Sequence, residues 1–346
     1  MVQTAPAPMS PAPRRAATRQ TIDPRSRRTY AALDLGTNNC RLLIARPAGE
    51  GFVIVDAFSR IVRLGEGLAA SGRISDAAVD RAISALGVCA EKLRRRHVHV
   101  ARSVATEACR RASNGGEFIE RVRRETGIML DVISAEEEAR LAVLGCHVLL
   151  EPGTGPAVIF DIGGGSTEVV LVDTAGPHPR TIDWFSAPWG VVSLTEVEEV
   201  AGTDEAARLA AYARMRARVT AAFAPFAARL ADSGKLPTRL LGTSGTVTTL
   251  ASVHLNLPSY DRRAVDGLIV PATAMRDISA RLAAQSIPER AAIPCIGQER
   301  ADLVVAGCAI LECIMDIVPA PRLGVADRGI REGILRTLMA HGEPGA

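Results

Sequence analysis

From Tyr30 onward the chain reads as short apolar runs punctuated by glycine, asparagine and proline, a pattern that predicts alternating strands and helices. Tyr30–Leu33, Arg41–Ala45 and Gly51–Ala57 are strand-sized and predict an antiparallel meander opening a domain. Ser75 then caps a predicted helix over Asp76–Arg96, where Ala78, Val79, Ile83, Leu86, Ala90 and Leu93 recur at helical spacing. His97–Ala101 reads as a strand, Phe118–Thr126 as a short helix stopped by Gly127, and Ile128–Ile133 as a strand. The acidic segment Ser134–Arg140 leads into an apolar helix, Leu141–Leu150, and Glu151–Pro156 has the composition of a linker. A second meander, Ala157–Ile162 and Thr167–Asp173, opens a second domain. Beyond it the pattern predicts a helix over about Glu205–Leu230 kinked at Pro225, a strand at Arg239–Leu241, and helices near Glu299–Ile317 and Arg331–Ala340.

Length agrees with this division, since 346 residues at about 150 per domain make two domains. With 47% apolar and 23% charged residues the chain has a globular composition, and its longest apolar stretch, Leu303–Val318, is broken by Glu312 and Asp316 and too short to span a bilayer. Residues 1–28 differ: they are rich in Ala, Pro and Arg, show no periodicity, and read as a disordered, solvated tail. That tail holds six arginines and one aspartate, so the net charge of +3 belongs to it and the remainder is slightly acidic. No nucleic-acid-binding face is expected from such a balance, and 3% aromatic residues leave few stacking platforms. Seven scattered cysteines without a C-x-x-C pair read as reduced thiols of a cytoplasmic protein, and the N-terminus lacks the pattern of an export signal.

The chemistry enters with a repeat. Asp34-Leu-Gly-Thr-Asn-Asn-Cys-Arg and Asp161-Ile-Gly-Gly-Gly-Ser-Thr-Glu share one plan, 127 residues apart: strand, acidic residue, glycine turn, strand. A single such hairpin reads as a plain tight turn. Two at corresponding places in two domains point to a clamp, with the small residues Gly36, Thr37, Asn38, Asn39 and Gly163, Gly164, Gly165, Ser166 bringing backbone N–H groups close to phosphate. Asp34 and Asp161 would then hold a metal ion or an attacking water. A third glycine turn, Gly242-Thr-Ser-Gly-Thr246, precedes a predicted helix and offers Gly242, Ser244 and Gly245 to anionic oxygens. It lacks the lysine of a P-loop, and no G-x-G-x-x-G follows a first strand.

Three consecutive glutamates separate by position. With Ser134 as N-cap, Glu137 completes a capping box and Glu136 suits the helix dipole, which leaves Glu138, about 100° further round, free to face a cleft as a general base. Glu168, seven residues after Asp161, either joins it at a metal ion or is a surface strand carboxylate. Arg60, Arg63, Arg102, Arg110 and Arg111 fall near strand or loop ends and are candidate phosphate ligands, whereas Arg94–Arg96 reads as a solvated helix end. The six histidines show no metal-ligand spacing.

Seven stretches in order give the chain a close resemblance to the exopolyphosphatase/guanosine pentaphosphate phosphohydrolase family, a branch of the superfamily of actin, sugar kinases and acetate kinase. They are Ala32-Leu-Asp-Leu-Gly-Thr-Asn38, Val62-Arg-Leu-Gly-Glu-Gly-Leu68, Val104-Ala-Thr-Glu-Ala-Cys-Arg110, Ile133-Ser-Ala-Glu-Glu-Glu-Ala-Arg140, Phe160-Asp-Ile-Gly-Gly-Gly-Ser-Thr-Glu168, Gly242-Thr-Ser-Gly-Thr246 and Arg328-Gly-Ile-Arg-Glu-Gly333. The resemblance spans about Tyr30–Leu338 and implies an α/β protein of two ribonuclease-H-like domains flanking a cleft. Residues 29–152 would form the first domain and 153–324 the second, with a final helix in about 325–346 packing back on the first.

By the same resemblance Glu138 is the catalytic base and Asp161 and Glu168 are magnesium and water-positioning carboxylates, with Asp34 joining through water. Mn²⁺ is the alternative ion, Arg110 contacts phosphate, and the two hairpin turns are phosphate loops. The implied reaction is hydrolysis of the terminal phosphoanhydride of inorganic polyphosphate. Removal of the 5′ γ-phosphate of guanosine pentaphosphate is the alternative, and a non-catalytic sensor or a kinase is less favoured because every reacting carboxylate and the glutamate motif are present. Ala135 stands where the family often has glycine, and the chain stops soon after Ile334 where long members continue, so a short two-domain form with a preference for shorter chains is expected. A homodimer is compatible with the family. Neither nucleic acid nor membrane is an expected partner.

Overall fold

A computed structural model describes residues 28–49, 51–176, 179–198, 204–234 and 236–340; apart from Arg28, the expected tail lies outside the described residues. Each half of the chain builds one sheet around a central strand that is apolar on both faces. In the first half β1 (Tyr30–Leu35), β2 (Asn39–Ala48), β3 (Gly51–Ile61), β4 (Val100–Ala105) and β5 (Leu130–Val132) are ordered β3-β2-β1-β4-β5. In the second half β6 (Ala157–Ile162), β7 (Thr167–Asp173), β8 (Arg180–Ala187), β9 (Arg239–Thr243), β10 (Ile269–Pro271) and β11 (Arg322–Ala326) are ordered β8-β7-β6-β9-β11-β10. Leaving out the edge strand β10, the two sheets have one topology: an antiparallel three-stranded meander whose first strand also pairs in parallel with a strand that follows a crossover. The equivalent central strands β1 and β6 are buried throughout except at their fifth residues, Asp34 and Asp161.

The helix Ala135–Cys146 lies between the two sheets. Leu141 and Ala142 pack with Tyr30, Ala32 and Leu43 of the first sheet, while Ala139, Val143 and Cys146 pack with Ala157, Ile159 and Val170 of the second. The C-terminal helix, Ile330–Ala340, leaves β11 of the second sheet but buries Ile330, Ile334 and Leu335 in the core of the first. Its approach to Ala135–Cys146 requires glycine: a Cβ at Gly145 would lie 1.9 Å from the Gly329 carbonyl oxygen, and one at Gly333 2.1 Å from that of Leu141. The outer faces of the sheets carry two larger cores, one with the helices Asp76–Arg95 and Gly115–Thr126, the other with Glu205–Asp232, Gly245–His254, Ala272–Ala284 and Val304–Ile317.

Several predicted elements shift. The strand expected at His97–Ala101 begins at Val100, because the preceding helix closes with His97 in the left-handed region (φ 48°) and Val98 N–H bonded back to the Leu93 carbonyl. The expected Glu299–Ile317 helix starts at Val304, and the long helix runs through Pro225 to Asp232. Strands β8, β10 and β11 were not predicted: β8 is a half-exposed edge with polar residues on both faces, and β11 is only five residues long beside Pro319 and Pro321.

Candidate active site

The two hairpin turns meet across the junction of the sheets. Both are closed in the same way, Gly36 N–H donating to the Asn39 carbonyl at 2.9 Å and Gly163 N–H to that of Ser166 at 3.0 Å. A Cβ on Gly164 would sit 2.9 Å from Thr37 Cβ and 3.0 Å from Asn38 N, and one on Gly165 2.8 Å from Thr37 Oγ1, so only glycine lets the turns touch. The start of the helix Val191–Val197 fixes the second turn, with Val191 and Val192 N–H groups donating to the carbonyls of Gly163 and Gly164. Among the described residues the backbone N–H groups of Thr37, Asn38, Gly164 and Gly165 have no protein acceptor, and they border one cleft. Asn39, Ser166, Ser244, Gly245, Thr246, Asp34, Asp161 and Glu138 line the same cleft.

Ser244 adopts φ 131°, ψ 172°, a region nearly restricted to glycine, and its side chain caps the following helix by accepting from Thr246 N–H at 3.2 Å. Gly242, offered by the sequence as a phosphate ligand, is instead buried: a Cβ there would fall 2.4 Å from the Phe160 ring. Its role is to admit that ring beneath the turn.

Glu138 reaches the cleft from the first turn of the helix between the sheets. Ser134 accepts from Glu137 N–H as predicted, but the reciprocal half of the capping box is missing, because the Glu137 carboxylate binds Arg102 and Arg140. Glu138 Oε2 accepts from Arg110 Nη1 at 2.8 Å, and the same guanidinium donates to the Ile133 carbonyl and to Glu107. Burial and then the charge of Glu168 hold the Glu138 carboxyl well above the usual carboxylate range, with Arg110 opposing. Burial and Glu138 push Asp161 up to about 7, against the pull of Arg41. Asp34 is raised by burial, with Arg41 and Arg331 opposing. Glu168 is not a surface carboxylate: it is 2% exposed and accepts from Ser166 and Ser186 hydroxyls at 2.8 Å each. Burial and Asp161 push it up to about 7.

None of the five arginines picked out by sequence borders the main cleft. Arg102 and Arg110 are bound to carboxylates, Arg63 bridges the two halves through Asp302 at 2.8 Å, Arg60 lies over Phe58, and Arg111 faces Glu107. The arginines of the cleft are Arg41 and Arg300, with Arg331 on a smaller cavity that shares Asp34, Arg41 and Asp161 with it. Arg41 was legible from the repeat. It stands opposite Asp34 across the first hairpin as Glu168 stands opposite Asp161 across the second, so the duplicated position carries a cation on one side and an anion on the other.

The donor set suits a hard divalent cation: carboxylates that burial and then mutual repulsion raise at Asp161 and Glu138, and a buried Asp34 Oδ1 without a hydrogen-bond partner. Among the described residues, however, no three His, Cys, Asp or Glu side chains converge on one point. The expected trio Asp34, Asp161 and Glu168 is therefore not a ready-made cage, since Glu168 is held by its two serines. A small octahedral ion that keeps waters and takes one or two carboxylates fits what is present.

Two actin-like halves with paired phosphate-sized turns, a buried glutamate and acidic strand ends define a phosphatase of the ribonuclease-H-like type. A model of the Ppx/GppA phosphatase family matches residues 43–341, and the chain belongs to that family. It is 32% identical over 331 residues to exopolyphosphatase 2 of Mycobacterium tuberculosis, covering 89% of this chain and 98% of that protein. The crystal structure of an exopolyphosphatase from Cytophaga hutchinsonii superimposes with a TM-score of 0.79 at 25% identity, over 92% of this chain and all of the other. A guanosine-5′-triphosphate,3′-diphosphate pyrophosphatase of Aeromonas hydrophila is 27% identical over 90% of this chain but only 60% of its own length.

Proposed function

We propose that the protein is an exopolyphosphatase that removes the terminal phosphate of inorganic polyphosphate. The observation that carries this reading is a buried glutamate on the cleft, Glu138, placed by Arg110 beside two turns whose N–H groups are unsatisfied. The terminal phosphate would accept from Thr37, Asn38, Gly164 and Gly165 N–H groups, and Arg41 and Arg300 would neutralise the next phosphates. Glu138, its proton affinity raised by burial, takes a proton from water as the water oxygen bonds to the terminal phosphorus. The bond from that phosphorus to the bridging oxygen breaks, the electron pair stays on the chain, and orthophosphate leaves. A magnesium ion held by Asp161 or Asp34, with Mn²⁺ as substitute, would supply charge neutralisation at the non-bridging oxygens.

Orthophosphate release from polyphosphate, abolished in Glu138→Gln, tests the proposal. The Aeromonas relative makes guanosine pentaphosphate the second substrate to assay alongside. Gel analysis of product lengths from short and long polyphosphate distinguishes early release from processive shortening. Seven free, buried cysteines support a reducing, cytoplasmic location; no helix of the described residues is long and apolar enough to cross a membrane.

A further inference from the structure

A second cavity lies outside the cleft, between the start of β3 and the C-terminal helix. Gly51 and Phe52 form one wall, and four arginines, Arg262, Arg263, Arg328 and Arg336, converge on it from three segments. The two carboxylates among the described residues that line it are already engaged. Asp266 accepts from Arg328 Nε at 2.8 Å, and Glu332 accepts from Arg262 Nη2 at 3.0 Å and from Gly329 N–H at 2.9 Å. Arg263 and Arg336 face the cavity with no carboxylate partner among the described residues, and Arg336 Nε is buried without any hydrogen-bond acceptor.

The desolvated Arg336 Nε N–H is costly to leave without an acceptor, and the exposed Arg263 beside it adds a second positive charge that an anion could meet. The rigid fork of arginine matches phosphate oxygens, and several forks around one cavity match more than one phosphate. We propose that this cavity is a second, non-catalytic site for an oligophosphate, supplied either by an inorganic chain or by a nucleotide. Arg328 also borders the small cavity that contains Asp34, Arg41 and Asp161, so the second site adjoins the rear of the catalytic carboxylates.

Titration calorimetry of the full-length Glu138→Gln protein with tripolyphosphate tests this independently of turnover. Adding Arg263→Ser and Arg336→Ser should weaken one binding event by about tenfold or more, the loss of one or two charge-assisted contacts. The Arg263→Lys/Arg336→Lys pair, which keeps both charges, should retain most of it. Arg263 is exposed, so Arg263→Glu alone gives the same test without disturbing the interior. GTP competing for that event identifies a nucleotide as the natural ligand, and GTP failing to compete identifies an inorganic chain. A titration left unchanged by both the serine pair and Arg263→Glu overturns the site. Failure of the exopolyphosphatase reading is distinct, since it would show as absent turnover whatever this titration gives.

Discussion

Arg110 grips Glu138 and is itself gripped: Nη1 donates to Glu138 Oε2 at 2.8 Å, while Nε and Nη2 donate to Glu107 Oε2 at 3.2 and 2.8 Å. Glu107 thus orients the arginine, and the arginine orients the glutamate. Arg110, a phosphate contact by family resemblance, pairs in the structure with Glu138, the proposed base.

Removing that cation has a definite sign. Arg110 lowers the Glu138 proton affinity against burial and Glu168, so Arg110→Ala should raise it further and leave the base protonated over a wider range. The acid limb of the kcat/KM profile should move to higher pH, with kcat at neutral pH reduced by about tenfold or more. An unmoved acid limb would separate Arg110 from the base.

The buried carboxylates link stability to pH. Asp161 and Glu168 stand at about 7 in the folded protein against ordinary values of 3.8 and 4.5. Between those limits the folded state binds more protons than the unfolded chain, so their contribution favours folding at low pH and is lost as pH rises through about 7. In chelator, denaturant unfolding of Asp161→Asn should therefore show a flatter pH dependence than the parent and a gain on the order of 1 kcal/mol at pH 8. An equal slope in both proteins would contradict the assigned repulsion.

Much of the fold was legible, and the rest was hidden for physical reasons. β6 and β7 were read to the residue because their apolar runs, Ala157–Phe160 and Val169–Val172, lie on either side of the glycine turn Gly163–Gly165. β11, although central and buried, is short and preceded by Pro319 and Pro321, which read as loop. Glu138 was set apart from Glu136 and Glu137 by an expected capping box of which the structure makes only half, since the Glu137 carboxylate binds Arg102 and Arg140 instead. The arginines could not be sorted, because strand and loop ends do not say whether a guanidinium meets substrate or a carboxylate; only the duplicated register of Asp34–Arg41 and Asp161–Glu168 held that information.

Contact between the helices Ala135–Cys146 and Ile330–Ala340 should be intolerant of side chains. Gly145→Val places atoms where the Gly329 backbone lies, so the helices must separate, at about 1–3 kcal/mol. The separation would shift Ile330 and Arg331, which border the cleft and the adjoining cavity, and activity should fall with stability. Urea unfolding and turnover measured together check this.

Arg41 and Arg300 should act on binding more than on chemistry. Each is partly buried beside the cleft, and burial lowers the Arg300 proton affinity, with the charge of Arg41 adding to the effect, the mark of two cations waiting for an anion. Arg300→Ala also loses its bond to Thr249 Oγ1 at 2.7 Å. KM for short polyphosphate should rise by about tenfold in either alanine variant with a smaller change in kcat. The reverse split would place them at the transferring phosphate.

The most direct test of the whole account is orthophosphate release from short polyphosphate with Mg²⁺, comparing the parent with Glu138→Gln. Release by the parent, lowered by about 10²–10⁴-fold in the variant while tripolyphosphate still binds, is the expected result. Near-normal release by the variant would remove Glu138 from its role, and no release by the parent from either polyphosphate or guanosine pentaphosphate would contradict the proposed function.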